Sequence, residues 1–396
     1  MDLVHNNDNI DFNKFGFGVN VLGSLKSEKG LGTAVRSDVY SLRAAKIPFI
    51  CNDRSDSGSL NNDNSLDCFS DNNPYLFNLI HINPHTIVNI GGSSVNYYEY
   101  LANYTAYLSG HYNIGYWVWE LDNVPDYWKD VAKYLHEIWT PSDFVMQSVS
   151  KIVPVPIIKI PHCINVDNSA LAASIKKRAQ FKIPDDIYLF LFIFDFGSYI
   201  ERKNPFGVIE AFKKAFSPYD KAMLFIKTYH TDFNRQKFYE LLNSIRGYNI
   251  TVSDEVLPAE GISSLMKACD CYVSLHRSEG FGLTLAEAMA FGKPVIATGY
   301  SGNMDFMNMN NSYPVNYKLT MLKENYGVYE KGNYWAEPDI NHAAKLMREA
   351  FENKDEYVST GIKGKSYIEK HFSHESIGKM YKTRLNKILM NYENKI

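Results

Sequence analysis

The sequence predicts an α/β protein made of two doubly wound, Rossmann-like domains, and three observations predict it. Short apolar runs alternate with helical patterns along the chain, which is the signature of parallel sheets. The alternation falls into two blocks with a proline-punctuated stretch between them. Finally, 396 residues, 45% of them hydrophobic, fill two cores of ordinary size, whereas one core would be unusually large.

In the first block the expected strands are Phe15–Leu22, Thr86–Ile90, Tyr112–Trp119, Glu137–Thr140 and Ile157–Ile160. The second block offers Tyr188–Asp195, Met223–Lys227, Ile250–Val252, Cys271–Leu275 and Pro294–Thr298, with helical patterns at Pro205–Phe216, Ser263–Ala268 and Leu285–Phe291. Pro154, Pro156 and Pro161 place the boundary near Pro161–Asp167. Domains are therefore expected over 1–165 and 166–372, followed at 373–396 by an amphipathic helix packed back on the body, crossing to the first domain. That segment spaces Ile377, Met380, Tyr381, Leu385, Ile388 and Leu389 at helical intervals, with Ser373 or Ser376 to cap its start. The tract Asn52–Pro74 is rich in Asn, Asp and Ser without periodicity and reads as a long mobile loop.

Composition excludes several classes. A net charge of −3 lacks the basic surface that nonspecific nucleic-acid binding needs. The five cysteines are scattered and odd in number, so reduced thiols in a reducing compartment are the default. No apolar run reaches membrane-spanning length and the N-terminus lacks a signal-peptide layout, which points to a cytoplasmic protein. There is no Asp-x-Asp and no His/Cys/Asp cluster at metal spacing, so no cofactor and no divalent metal are expected.

Residues 275–302 carry the chemistry. An apolar strand runs into Glu279-Gly280-Phe281-Gly282-Leu283-Thr284 and then into a helix bearing Glu287. The amides of Phe281, Gly282, Leu283 and Thr284 lie at the helix N-terminus, where unpaired N–H groups and the helix dipole suit a diphosphate. Gly280 and Gly282 let a ligand approach the backbone closely. Glu279 stands before the turn within reach of a sugar. Glu287 lies one turn into the helix, where a carboxylate can accept from both hydroxyls of a ribose.

This stretch, Glu-Gly-Phe-Gly-Leu…Glu-Ala-Met-Ala-x-Gly-Lys-Pro-Val, closely resembles the donor-site signature of the GT-B retaining glycosyltransferases of the family 4 type. The resemblance covers roughly residues 15–395, with its specificity concentrated at 254–306. It implies a GT-B fold, two Rossmann-like domains facing across a cleft, and a sugar moved from a nucleotide-sugar donor to a carbohydrate or glycolipid acceptor. In that family the first Glu, here Glu279, contacts donor sugar hydroxyls, and the second, here Glu287, binds the ribose. It also implies a retaining mechanism assisted by cations. Lys203-Asn204 matches the family's Lys-Gly pair. Gly197-Ser198 stands where the family has Gly-Arg, so the usual arginine is absent there; Arg202 is the candidate replacement and Lys227 a third cation.

Other positions are weaker. Gly30 and Gly32 follow the first strand in a loop that, in the family, approaches the diphosphate; the full Gly-x-Gly-x-x-Gly of a dinucleotide site is missing. Trp119 and Glu120 occupy the region where many members carry a sugar-contacting His, and read equally as an acceptor-lining pair or as a core Trp with a capping Glu. His276 and Arg277 adjoin Glu279 and are candidates for the sugar pocket. The family resemblance suggests a surface polysaccharide or glycolipid acceptor, through which the protein would associate peripherally with the inner membrane face. The alternatives are a catalytically silent donor-binding partner of another transferase and a nucleotide-sugar epimerase of the same fold.

Overall fold

The computed structural model describes residues 10–56, 60–164 and 178–393. The chain divides into two compact units, Met1–Ile164 with His371–Ile396, and Asn165–Lys370. The first changeover falls between Ile164 and Asn165; residues 165–177, which include Asp167 of the expected boundary, lie outside the described part.

The first unit contains β1 (Gly16–Gly23), β2 (Phe49–Asp53), β3 (Tyr75–Ile80), a hairpin of β4 (Ile87–Ile90) and β5 (Ser93–Asn96), then β6 (Tyr112–Tyr116), β7 (Glu137–Thr140) and β8 (Ile157–Lys159). Six of these form a parallel sheet in the order β2-β1-β3-β6-β7-β8. Val19, Val21, Phe77, Leu79, Ile114 and Tyr116 build its core with Val35, Val39 and Leu42 of the helix Gly30–Ala44. The helix His374–Glu393 adds Ile377, Tyr381 and Leu385 to the same core. Tyr381 meets Trp139 edge-on at 4.9 Å. The Arg384 guanidinium pairs with the fully buried Glu137, whose carboxylate also accepts from Trp139 Nε1 at 2.6 Å and Tyr112 Oη at 3.2 Å.

Three expectations change here. The run Thr86–Ile90 does not enter the main sheet; its residues 87–90 pair antiparallel with β5. The strands that complete the sheet are β2 and β3, which sequence reading passed over. β3 carries Asn78 at a core position, where its side chain bonds Asn20 (2.9 Å) and Asn113 (2.8 Å) on the two flanking strands. A buried polar ladder of this kind satisfies its own donors but breaks the apolar pattern. The tract Asn52–Pro74 is anchored rather than a free loop: Asn52 Nδ2 donates to Ser70 O and Asn72 O, and Arg36 pairs with Asp63 at 3.2 Å. A parallel bridge between Cys51 and Phe69 lays the tract beside β2, and Cys51 is disulfide-bonded to Cys68, against the expectation of reduced thiols throughout. Cys163, Cys269 and Cys271 are buried free thiols.

The second unit contains β9 (Tyr188–Asp195), β10 (Ala222–Tyr229), β11 (Ile250–Ser253), β12 (Cys271–Ser274), β13 (Val295–Thr298), β14 (Tyr313–Val315) and an antiparallel ribbon of β15 (Tyr317–Met321) and β16 (Tyr334–Pro338). The six-stranded parallel sheet runs β11-β10-β9-β12-β13-β14. By order of appearance this is the 3-2-1-4-5-6 arrangement, whose direction of progression reverses between β9 and β12. Ligands of open α/β sheets bind beyond the carboxyl ends of the strands at such a reversal. On one face of this sheet Phe190, Phe192, Leu224, Ile226, Val273 and Ile296 form a core with Val208 and Phe212 of one helix and Ala343 and Met347 of another, and the alternate residues Leu189, Leu191 and Phe225 are buried as well. Buried on both faces, these strands read as continuous apolar runs.

Candidate functional site

The loops after β9 and β12 bring three charged side chains together at that reversal. After β9 the chain forms a single helical turn, Ile200–Lys203, that presents Arg202 and Lys203. After β12 it continues through His276 to Glu279. Lys203 Nζ lies 2.5 Å from Glu279 Oε1 and Arg202 Nη1 lies 3.1 Å from Oε2, so one carboxylate is held between two cations. Burial opposes ionisation of Glu279, but Lys203 and Arg202 outweigh it and hold its carboxyl down at about 2. The cluster keeps a net positive charge, suited to a diphosphate.

The turn is fixed at both ends by unusual backbone. Tyr199 before it has φ +60° and Asn204 after it has φ +52°, both left-handed. Asn204 Nδ2 donates to Leu275 O at 2.9 Å and its Oδ1 accepts from Gly207 N at 3.1 Å. Strain of this kind persists only where the surroundings over-determine it. Glu279 is held in the same way: its N–H donates to Ser301 Oγ at 2.8 Å, and its carbonyl accepts from Gly302 N at 2.9 Å. Only glycine fits at 302, since a Cβ there would stand 2.1 Å from Gly280 O.

The helix Leu283–Ala290 starts immediately beyond. Gly282, at φ +96°, is its N-cap, with no side-chain cap and no acidic residue in the first turn. The amides of Leu283 and Thr284 thus stand at a helix start with no side-chain cap and no acidic residue in its own first turn, an arrangement that suits an anion. Phe281 is buried against Phe306, ring centroids 5.1 Å apart. Glu287 is partly buried one turn in. Burial pushes its carboxyl up to about 7, and the phenols of Tyr229 and Tyr272 lie within its field.

The other candidates are placed differently. His276 is fully buried; its ring bonds Ser274 Oγ and Asn303 Oδ1, both at 3.1 Å, and burial lowers it to about 4. Neutral at pH 7, it fixes the strand end through these two bonds and brings no charge to Glu279. Arg277 is engaged by a bidentate pair with Glu337 (2.7 and 2.9 Å) and lies over the Trp335 ring. Lys227 is fully buried, donates to Thr228 O at 2.6 Å and lies 3.7 Å from the centre of the Tyr229 ring; it makes no bond to the Arg202–Lys203–Glu279 cluster. Burial brings its ammonium down to about 8.

In the first unit, a Cβ at Gly32 would meet Ser27 O at 2.0 Å, so this glycine closes the loop onto its helix; Gly30 has open space around it. Trp119 is a core residue, its Nε1 donating to Asn123 O at 2.7 Å and its ring against Trp128. That burial removes it as a stacking platform. Glu120 beside it is partly exposed. Among the described residues no group of three or more His, Cys, Asp or Glu side chains is arranged to hold a metal ion, and no helix is long and apolar enough to cross a membrane.

Two parallel six-stranded sheets with their helices, one of them ending in a cation–carboxylate cluster at a helix N-terminus, are the architecture of the GT-B fold. Residues 174–367 match the family model described as Glycosyl transferases group 1, and over these residues the chain carries a glycosyl transferases group 1 domain. In fold it is similar to HepE of Anabaena, solved in complex with UDP and glucose (TM-score 0.65, 12% identity, 94% of this chain and 100% of that one). It is also similar to a glycosyltransferase from Rickettsia africae (TM-score 0.66, 14% identity, 96% and 100%). A third is the sucrose-phosphate synthase of Thermosynechococcus elongatus (TM-score 0.62, 14% identity, 95% and 100%). No curated protein sequence matches the chain.

Proposed function

We propose that the protein is a retaining glycosyltransferase that moves a hexose-type sugar from a nucleoside-diphosphate donor to a carbohydrate or glycolipid acceptor in surface polysaccharide assembly, without a divalent metal. The observation that carries this reading is the ionised Glu279 held by Lys203 and Arg202 beside the uncapped start of Leu283–Ala290. Lys203, Arg202 and the helix amides take the diphosphate, Glu279 takes sugar hydroxyls and Glu287 takes the ribose. The acceptor oxygen bonds to the anomeric carbon as the bond from that carbon to phosphate oxygen breaks, and the acceptor proton passes to the departing phosphate. The protein's part is positioning and stabilisation of the leaving charge. Work at the inner face of a membrane follows from such an acceptor and needs no anchor in this chain.

UDP is the nucleotide to try first, because HepE was solved with it. In a thermal-shift screen UDP, GDP and dTDP are added in the presence of EDTA. One of them is expected to raise the melting temperature, since a ligand bound only by the native state stabilises it by mass action. No shift with any, or a shift that needs added metal, counts against the proposal.

Glu287→Gln is expected to cancel that shift and to stabilise the unliganded protein at pH 8. In the unfolded chain the carboxyl ionises near its ordinary value of 4.5, in the native protein at about 7. Between these the native state binds the extra proton, so its stability falls as pH rises from 4.5 to 7 and stays lower above. The amide has no such loss. A gain of about 2 kcal/mol is expected at pH 8, allowing for the water that still reaches the side chain, and almost none at pH 4.5. Equal effects at both pH values would mean that Glu287 is not held up by burial.

A further inference from the structure

The ribbon β15–β16 carries a turn that grips the cation-bearing segment. Tyr326 and Tyr329 exchange backbone hydrogen bonds at 2.9 and 3.0 Å, closing the turn around Gly327 at φ +58°. Tyr199 Oη accepts from Val328 N at 3.3 Å, and its ring stands edge-on to Tyr329, centroids 5.0 Å apart. The fit at Gly327 admits nothing larger, since a Cβ there would lie 2.0 Å from Tyr199 Oη and 2.2 Å from the ring carbons behind it.

Tyr199 is also the residue whose backbone holds the two cations. Its carbonyl accepts from the amides of both Arg202 (3.1 Å) and Lys203 (3.2 Å). It does so from a left-handed conformation that costs a β-carbon-bearing residue of order 1–3 kcal/mol and that something must enforce. The Arg202 guanidinium lies 6.0 Å from the centre of the Tyr329 ring. At the foot of the ribbon, the Arg277–Glu337 pair fixes β16 to the strand-end loop, where Arg277 N donates to Arg202 O at 2.7 Å.

We infer that Tyr199, Gly327 and Tyr329 form a clasp that sets Arg202 and Lys203 for the diphosphate, making them positioning residues for donor binding. The inference rests on the donor-site reading above. It assigns the ribbon a task that its exposed outer residues, Leu319 and Met321 among them, do not share. Gly327→Ala drives the Tyr199 ring out of its seat and lets the strained carbonyl relax, so the two cations lose their common anchor. Tyr199→Phe keeps the ring and removes only the acceptor for Val328 N–H.

The test measures the affinities of inorganic pyrophosphate, UDP and uridine for the full chain as wild type, Gly327→Ala, Tyr199→Phe and Leu319→Ser. Expected is a loss of about tenfold for pyrophosphate and UDP in Gly327→Ala, about 1.4 kcal/mol, and about threefold in Tyr199→Phe. Uridine is expected to bind all four equally, because a nucleoside does not touch the cations, whereas general damage to the unit weakens it too. Leu319→Ser is expected to match the wild type throughout. If Gly327→Ala and Tyr199→Phe bind pyrophosphate as the wild type does, or lose uridine in the same proportion, the clasp is overturned while the donor site stands. If the wild type itself binds no pyrophosphate, the donor-site reading falls and the clasp with it.

Discussion

Lys203→Ala is expected to lower sugar transfer by a factor of about 10² to 10³, the usual cost of removing one donor that stabilises developing charge, with the protein still folded. The assay is release of nucleoside diphosphate from the donor identified by thermal shift. Two effects act together. The leaving phosphate loses a cation, and Glu279 loses the closer of the two partners that hold its carboxyl at about 2 against the pull of burial. Glu279's contribution to stability is present above its unfolded value and is lost as pH falls through its native one. With Lys203 gone the native value rises, so the variant is also expected to lose stability at a higher pH than the wild type on acidification. Lys203→Arg keeps the charge in a different geometry and is expected to recover part of the rate. Full activity in Lys203→Ala would remove this residue from the site.

Arg384→Ala is expected to be the most damaging substitution in the first unit, at about 3–5 kcal/mol. Glu137 has no exposure, and among the described residues Arg384 on the helix His374–Glu393 is its only charged partner by ion pair. Without it a carboxylate remains buried with two neutral donors, Trp139 Nε1 and Tyr112 Oη. Pairing the change with Glu137→Gln is expected to restore most of the loss, because breaking a buried pair costs far more than replacing both members. Urea unfolding of the single and double variants reads this directly. Equal losses in the two would show that the helix is held by its apolar stripe alone.

The parts of the molecule that were legible in the sequence are those whose residues lie close together along it. Glu279, Gly282 and Glu287 fall within one strand–turn–helix passage, and turn chemistry and helix-terminus physics locate them without tertiary information. The pairing of Glu279 with Arg202 and Lys203 spans more than seventy positions; the residue types were visible, but their meeting depends on the strand order that makes β9 and β12 neighbours. Arg277 and Trp119 show where neighbourhood in the sequence leaves two readings open. Each sits beside a functional-looking residue in sequence, yet Arg277 is claimed by Glu337 and Trp119 by the core. The strand β3 was hidden by Asn78, whose partners Asn20 and Asn113 come from two other strands. Nothing local marks Gly327 as the seat of Tyr199, because that contact joins positions 128 residues apart.

The first unit is discontinuous, with Ile377, Tyr381 and Leu385 completing a core begun at Val19. A ribosome makes the chain in one direction, so the second unit, a single uninterrupted run, has all its residues available before the first one does. The nascent sheet of the first unit must wait, its apolar flank uncovered, for the helix His374–Glu393 to emerge. During synthesis that flank is the surface a chaperone would meet, and the delay is set by translation rather than by the search for contacts.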